Sequence, residues 1–388
     1  MACIVQKFGG TSVATLERIK HVAELIAEAH ATKQIAVVVS AMAGVTNKFI
    51  EYAQNLGSFE GDADYDSVVS SGELVTAGLL AITLKNMGLK SRSYAGWQIP
   101  IKTSSNYGSA VIQSVDPTNL EKDLQEGIIP VICGFQGISS ENRITTLGRG
   151  GSDLTAVAVS DALKAELCEI YSDVDGVYTV DPNLYPQARR IDKVHYNEMK
   201  EMAASGAKVL QEQSVDYAMK KNVRIRVASS FVENEGTIIC SDVSSKKFVG
   251  LAIIQNLAQL RIHHKLKSHI PIIELLEKWF ARCEVLKISD GKFSILVDRQ
   301  KVSLIQNLLS KENYISNIKQ EMVRKSLSRI SVIGSSLTQK DRNKIESTLN
   351  RAKIEVFYCS IRKNGINLIV LTESLLKSMD VLHKSCGL

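Results

Sequence analysis

Over the first 250 residues, short β-branched runs alternate with longer helix-patterned stretches, and few architectures accommodate that alternation. Ile4–Phe8, Ile35–Ser40, Ile128–Phe135, Glu166–Ser172 and Val223–Ala228 read as strands. Between them, Val13–Ala31, Tyr65–Asn86 (one or two helices), Ser152–Lys164 and Asn197–Lys221 carry helical patterns. Strands joined through helical crossovers require an α/β fold with a largely parallel sheet covered by helices on both faces. In such sheets ligands sit beyond the carboxyl ends of the strands, so the residues that follow each strand are the ones to read for function.

The texture changes near residue 250. Twenty of the 24 glycines precede that point, so tight turns and close backbone approaches concentrate in the first part. After it, strand Gln259–Lys265, helix Ile270–Ala281, strands Glu284–Ser289 and Lys292–Asp298 and helix Val302–Lys311 form one unit. A second unit repeats the order: strand Leu327–Ile333, helix Gln339–Ala352, strands Ile354–Ser360 and Ile366–Thr372, helix Glu373–His383. The repeat predicts a duplicated small α+β module of the split βαβ kind. The expected division is therefore 1–245, 250–322 and 326–388.

The formal charge of +6 hides an asymmetry, net −5 over residues 1–250 and net +11 over 251–388. A basic segment raises the question of nucleic acid, but its Lys and Arg are scattered with no run of five. They read as a solvated surface, and no nucleic-acid partner is expected. An apolar share of 45% with 23% charged residues excludes a disordered or fibrous chain. Seven cysteines form no C-x-x-C pair, which argues against a zinc site and a disulfide framework and points to a reducing cytoplasm. Stretches such as Phe248–Leu260 are too short and too polar for a membrane span, and the first residues carry no secretory pattern.

Several post-strand turns carry chemistry. Lys7-Phe8-Gly9-Gly10-Thr11-Ser12 opens a helix with paired glycines and a lysine, the ingredients of a phosphate cradle. Ser40-Ala41-Met42-Ala43-Gly44-Val45-Thr46-Asn47 is a second small-residue turn. In Ser70-Ser71-Gly72-Glu73, an acid inside an apolar helix pattern either caps the helix or meets a cation in a pocket. Thr145-Thr146-Leu147-Gly148-Arg149-Gly150-Gly151-Ser152-Asp153 is the most informative segment. It joins a guanidinium fork suited to a carboxylate with a helix start. The acids around Gly176 could bind a metal, hold a ribose or simply break the chain, and Lys208 on its own is a solvated charge. Together the turns suit phosphoryl transfer from a nucleotide to a small carboxylated acceptor.

In this order, K-F-G-G-T-S (7–12), S-A-M-A-G-V-T-N (40–47), S-G-E (71–73), G-F-Q-G (134–137), T-T-L-G-R-G-G-S-D (145–153), S-D-V-D-G-V-Y-T-V-D-P (172–182) and G-A-K-V-L (206–210) resemble the motifs of the aspartate kinases, within the amino-acid kinase family. The resemblance covers about residues 1–245. It implies ATP-dependent phosphorylation of L-aspartate to 4-phospho-L-aspartate, with Mg²⁺, at the head of lysine, threonine, methionine and diaminopimelate synthesis. It further implies an amino-acid kinase fold followed by two ferredoxin-like ACT-type modules that join a homodimer or higher oligomer. Lys7, Asp153 and Lys208 would be catalytic, and Gly9 and Gly10 would donate backbone N–H groups to phosphate. Thr46, Glu73, Arg149, Gly150, Gly151 and Ser152 would bind aspartate. Lys7, Gly9, Gly10, Ser40, Ser172, Asp173, Tyr178, Asp181 and Lys208 would serve ATP, and no resident metal is expected. A sibling kinase with another carboxylate acceptor, or a silent amino-acid sensor, are the alternatives.

Two departures stand out. Asn183 follows Asp181-Pro182 where the family usually has Arg, so nucleotide affinity is expected to fall unless Arg189 or Arg190 substitutes. The Asp-x-Pro-Gly turn of the first module is replaced by Leu266–Pro271, and Ser335–Gln339 after Gly334 lacks a second glycine. Feedback by lysine or threonine is therefore expected to be weak or lost.

Overall fold

The computed structural model describes residues 2–243, 246–263, 270–279, 284–289, 292–311 and 319–388. The chain divides into two compact units. One comprises Met1–Val177, Arg190–Ala204 and Lys208–Ser244, the other Tyr178–Arg189, Ser205–Ala207 and Ser245–Leu388.

In the first unit the elements run β1 (Cys3–Phe8), α1 (Leu16–His30), β2 (Gln34–Val39), α2 (Val45–Asn55), α3 (Ala63–Val69), α4 (Ser71–Asn86), β3 (Ser91–Tyr94), β4 (Ile101–Thr103) and β5 (Ile112–Val115). They continue α5 (Thr118–Gln125), β6 (Ile129–Cys133), β7 (Gln136–Ile138), β8 (Ile144–Thr146), α6 (Gly151–Ala162) and β9 (Leu167–Ser172). Then come β10 (Val177–Tyr178), whose second residue is grouped with the other unit, β11 (Arg190–Ile191), β12 (Lys193–His195), α7 (Tyr196–Ala204), α8 (Glu212–Lys221), β13 (Ile225–Ser229) and β14 (Thr237–Cys240). The main sheet has the order β12-β14-β13-β9-β1-β2-β6-β3. Its neighbours are parallel except β13 with β14, as the alternating pattern requires.

Pleating sends alternate residues of β1 to opposite faces. Ile4 and Phe8 pack with α1 and α4 through Ile19, Val22, Ile26, Leu80 and Leu84. On the same face as Phe8, Gln6 donates to Glu169 at 2.9 Å, and Arg226 donates to the other oxygen of that carboxylate at 2.7 Å. Lys7 takes the opposite face, against α6, which is buried from Gly151 to Ser160. A separate four-stranded sheet, β5-β4-β7-β8, stands beyond the end of β6.

In the second unit the elements are β15 (Gly250–His263), α9 (Ile270–Trp279), β16 (Glu284–Ser289), β17 (Lys292–Asp298), α10 (Val302–Lys311), β18 (Lys319–Ile333), α11 (Gln339–Arg351), β19 (Tyr358–Arg362), β20 (Gly365–Leu371) and α12 (Leu375–Cys386). The two repeats form one antiparallel sheet, β16-β17-β15-β18-β20-β19, in which the long strands β15 and β18 pair at the centre. Among the described residues the unit has a small apolar cluster of Leu257, Leu296, Leu327 and Ile369 and two larger cores. One gathers Leu260, Ile272, Leu276, Phe293 and Ile305, the other Ile330, Leu349, Leu368, Met379 and Leu382. Leu251 of β15 belongs to the second core, as do Val180 and Tyr185. The Leu266–Pro271 turn falls largely outside the described residues. Ala63–Asn86 is, among the described residues, long and apolar enough to cross a membrane by length and composition. Half of its apolar window is buried in the fold.

Candidate active site

A cavity of about 390 Å³ opens in the first unit where β1, β2 and β6 end. Lys7, Gly10, Ser40, Thr46, Glu73, Arg149, Gly150, Gly151, Ser152 and Asp153 all line it. The cavity thus brings together every residue expected to bind the acceptor, with Lys7, Gly10 and Ser40 from the nucleotide set.

Lys7 is 8% exposed, and its Nζ lies 2.6 Å from the Asp153 carboxylate in the first turn of α6. Position in the sheet explains the meeting. The residue before the last of β1 faces α6, and the chain enters α6 from the glycine-rich turn at the same sheet edge. That turn needs its glycines. Gly150 has φ +73°, and a Cβ there would lie 2.0 Å from Gln211 Cγ. At Gly10 a Cβ would come within 2.9 Å of the Ala41 carbonyl, so bare backbone faces the cavity.

Glu73, in the first turn of α4, is 3% exposed. Its Oε1 accepts the Ala41 N–H at 3.1 Å, while Oε2 is buried with no hydrogen-bond partner among the described residues. Burial pushes its carboxyl pKa up to about 7, against the opposing pull of the Ala41 N–H. A buried carboxylate oxygen without a donor fits a cationic ligand group. Arg149 is exposed on the cavity rim and forms no ion pair among the described residues, leaving its fork open for a carboxylate.

The structure corrects one expectation. The Gly9 amide does not face a ligand: it donates to the Tyr171 carbonyl at 3.1 Å, because the pairing of β1 with β9 runs one residue past Phe8. Of the two glycines, only Gly10 lines the cavity. The other expected nucleotide residues lie outside the cavity lining. Ser172 ends β9 and donates to the exposed Asp173 at 2.9 Å, and Lys208 is exposed after α7. Tyr178 and Asp181 belong to the segment grouped with the second unit, where Asp181 Oδ1 accepts the Asn183 amide at 2.9 Å. The substitutes considered for Asn183 are both engaged. Arg189 donates to the Gly387 carbonyl at 3.1 Å, and Arg190 pairs with Asp192 and Glu235.

Sequence reading missed Asn47, Glu60, Tyr65, Val69, Gly108, Phe135 and Thr146, which also line the cavity. Asn47 and Thr146 sit inside segments already singled out. Tyr65 and Val69 follow a helical pattern that gives no hint of which side faces a ligand.

Residues 2–229 match the amino acid kinase family. The aspartokinase of Geobacillus stearothermophilus is 33% identical over all of this chain and 98% of its own length. The chain belongs to the aspartokinase branch of the amino acid kinase family. The aspartokinase of Rickettsia prowazekii (strain Madrid E) is 50% identical over 62% of this chain, and the match spans 55% of that protein. The chain thus matches about half the length of that relative. Escherichia coli aspartokinase III, solved in complex with aspartate and ADP, shares the fold with a TM-score of 0.79 at 23% identity, covering 98% of this chain and 99% of its own.

Proposed function

We propose that this chain transfers the γ-phosphoryl group of ATP to the β-carboxylate of L-aspartate, releasing ADP and 4-phospho-L-aspartate. One observation carries the reading: a single cavity holds a buried carboxylate with an open oxygen, a guanidinium that forms no ion pair among the described residues and a buried lysine–carboxylate pair. Aspartate presents one ammonium and two carboxylates. Glu73 Oε2 would receive the ammonium and Arg149 the α-carboxylate, with Thr46 and Gly150–Ser152 shaping the space between them. The β-carboxylate then faces Lys7 and the start of α6.

That carboxylate is ionised at neutral pH, so attack needs no general base. The obstacle is repulsion from the γ-phosphate, which Lys7 and the helix N-terminus relieve while Asp153 holds the Lys7 ammonium in place. An oxygen of the carboxylate bonds to phosphorus, and the bond to the departing ADP oxygen breaks. Gly10, Ser40, Ser172, Asp173, Tyr178, Asp181 and Lys208 would serve the nucleotide. Among the described residues no group of three His, Cys, Asp or Glu side chains could hold a metal. Mg²⁺ would arrive on the phosphates, its usual mode in phosphoryl transfer.

We read residues 1–245 as the catalytic domain and 250–322 and 326–388 as modules that join two or more copies; light scattering on the full chain tests the assembly. The six described cysteines are free thiols, which accords with a reducing cytoplasm. Around Gly334 the chain is packed against its own residues. The Ser335 amide and hydroxyl both donate to the Lys246 carbonyl, and the Gly334 amide donates to Asn364. Backbone so engaged supports weak feedback by amino acids.

A coupled ADP-release assay with aspartate, glutamate, acetylglutamate, carbamate and UMP as acceptors tests the activity. Aspartate-dependent turnover with a hydroxylamine-trappable acyl phosphate is the expected result. Preference for any other acceptor refutes the reading.

A further inference from the structure

A carboxylate that none of these roles uses lies beside the cavity. Asp66 of α3 has no exposed surface. It accepts three hydrogen bonds: from the Gly108 amide at 2.9 Å, the Thr146 amide at 2.7 Å and the Thr146 hydroxyl at 2.9 Å. These donors come from two chain segments far apart in sequence, and both segments form cavity wall. Gly108 lines the cavity, and so do Thr146, Gly148 and Arg149. The segments are also tied directly, the Ala110 amide donating to the Thr146 carbonyl at 2.9 Å. The residue before Asp66, Tyr65, lines the same space.

A carboxylate stripped of water is costly unless its lone pairs are filled, so the position of each donor is tied to the position of the acid. Asp66 is thus a junction between α3, the Gly108 loop and the strand end that leads into Arg149. Arg149 itself is exposed and held by no ion pair among the described residues, so its placement depends on the backbone that carries it.

We propose that Asp66 is a positioning residue for the phosphoryl acceptor: it fixes the Thr146–Arg149 wall against the Gly108 loop and so sets where the guanidinium meets the acceptor's carboxylate. The proposal rests on the reading of the cavity as the aspartate site. Misplacement of a binding group by about 1 Å can cost on the order of a hundredfold in rate, so a loosened junction should be visible in kinetics.

The test uses Asp66→Asn in the full chain, which keeps the shape but turns one acceptor into a donor facing donors. An internal control exists. Asp123 of α5 is equally buried, accepts two side-chain hydrogen bonds, from Arg92 and from the Tyr94 hydroxyl at 2.7 Å, and lies outside the cavity lining. Asp66→Asn should raise KM for aspartate about tenfold with KM for ATP nearly unchanged, while Asp123→Asn lowers Tm without moving either constant. Thr146→Val, which removes only the hydroxyl bond, should raise KM for aspartate by a smaller factor. It also keeps the proposal testable if Asp66→Asn does not fold.

Equal loss of Tm in the two Asp→Asn variants with KM for aspartate unmoved in both would overturn the proposal. So would an unchanged KM in a folded Thr146→Val protein. Arg149→Ala separates the levels. If it leaves KM for aspartate unchanged, the cavity reading fails and this proposal with it. If it raises KM while Asp66→Asn does not, only the proposal about Asp66 fails.

Discussion

Lys7 on the central strand and Asp153 in the first turn of the facing helix form an ion pair of 2.6 Å with both side chains about nine-tenths buried. Each neutralises the other in a place that solvates neither. Removing one member leaves the other uncompensated, a change that typically costs about 3–5 kcal/mol when the pair is buried.

Lys7→Ala should therefore lower both turnover and stability. Turnover should drop on the order of 10²–10³-fold, the usual scale for removing one electrostatic stabiliser of a transition state, with little change in aspartate affinity. The double variant Lys7→Ala with Asp153→Ala should recover much of the lost Tm but none of the lost turnover. Thermal melts and steady-state rates on the two variants check this, and an unchanged rate in Lys7→Ala removes its assigned role.

Glu73 makes the pH response of the proposed activity specific. Burial raises its carboxyl pKa in the fold to about 7, well above the ordinary carboxyl range near 4.5. The folded state binds its proton more tightly than the unfolded chain does. Glu73 therefore contributes stability that is fully present below pH 4.5, declines as pH rises toward 7, and is absent above it. Aspartate's ammonium requires the ionised form, so kcat/KM for aspartate should rise with pH up to about 7 and then level off. Glu73→Gln should raise KM for aspartate and abolish that limb of the profile, as pH-dependent kinetics on both proteins would show.

Gly150 combines a left-handed backbone with contact against Gln211. Gly150→Ala should lose about 1–2 kcal/mol from backbone conformation alone, and further stability from the collision. Adding Gln211→Ala should return the collision part only. Denaturant unfolding of the single and double variants measures the split, and full recovery in the double variant would show that the backbone strain is negligible.

Weak feedback is checked by titrating lysine and threonine, separately and together, into the ADP-release assay. Activity should hold at millimolar concentrations of either. Strong inhibition at sub-millimolar lysine would sink the reading of the Gly334 turn as engaged by its own chain.

The main sheet was legible because β1, β2, β6 and β9 are apolar runs five or six residues long, bounded by turns. Lys7, Glu73 and the Gly148–Asp153 turn were legible because charge and paired glycines are conspicuous in such surroundings. The small sheet was not: β4, β7 and β8 have three residues each, too few to display a period. Gly9 was misjudged because no local pattern reveals that a strand pair extends one residue further. Asp66 gave no signal in the sequence, since its three donors lie 42 and 80 positions away. The extra length of β15 and β18 comes from pairing with each other, a tertiary event that hydropathy along either strand does not announce.

That central pairing has a consequence for assembly. Two free-standing modules would expose four strand edges, each able to recruit a foreign strand. Joining them through β15 and β18 leaves only β16 and β19 at the margins. Cutting the chain between the repeats would uncover two long templates for aggregation, so the duplicated part should be inherited, expressed and unfolded as a single cooperative body.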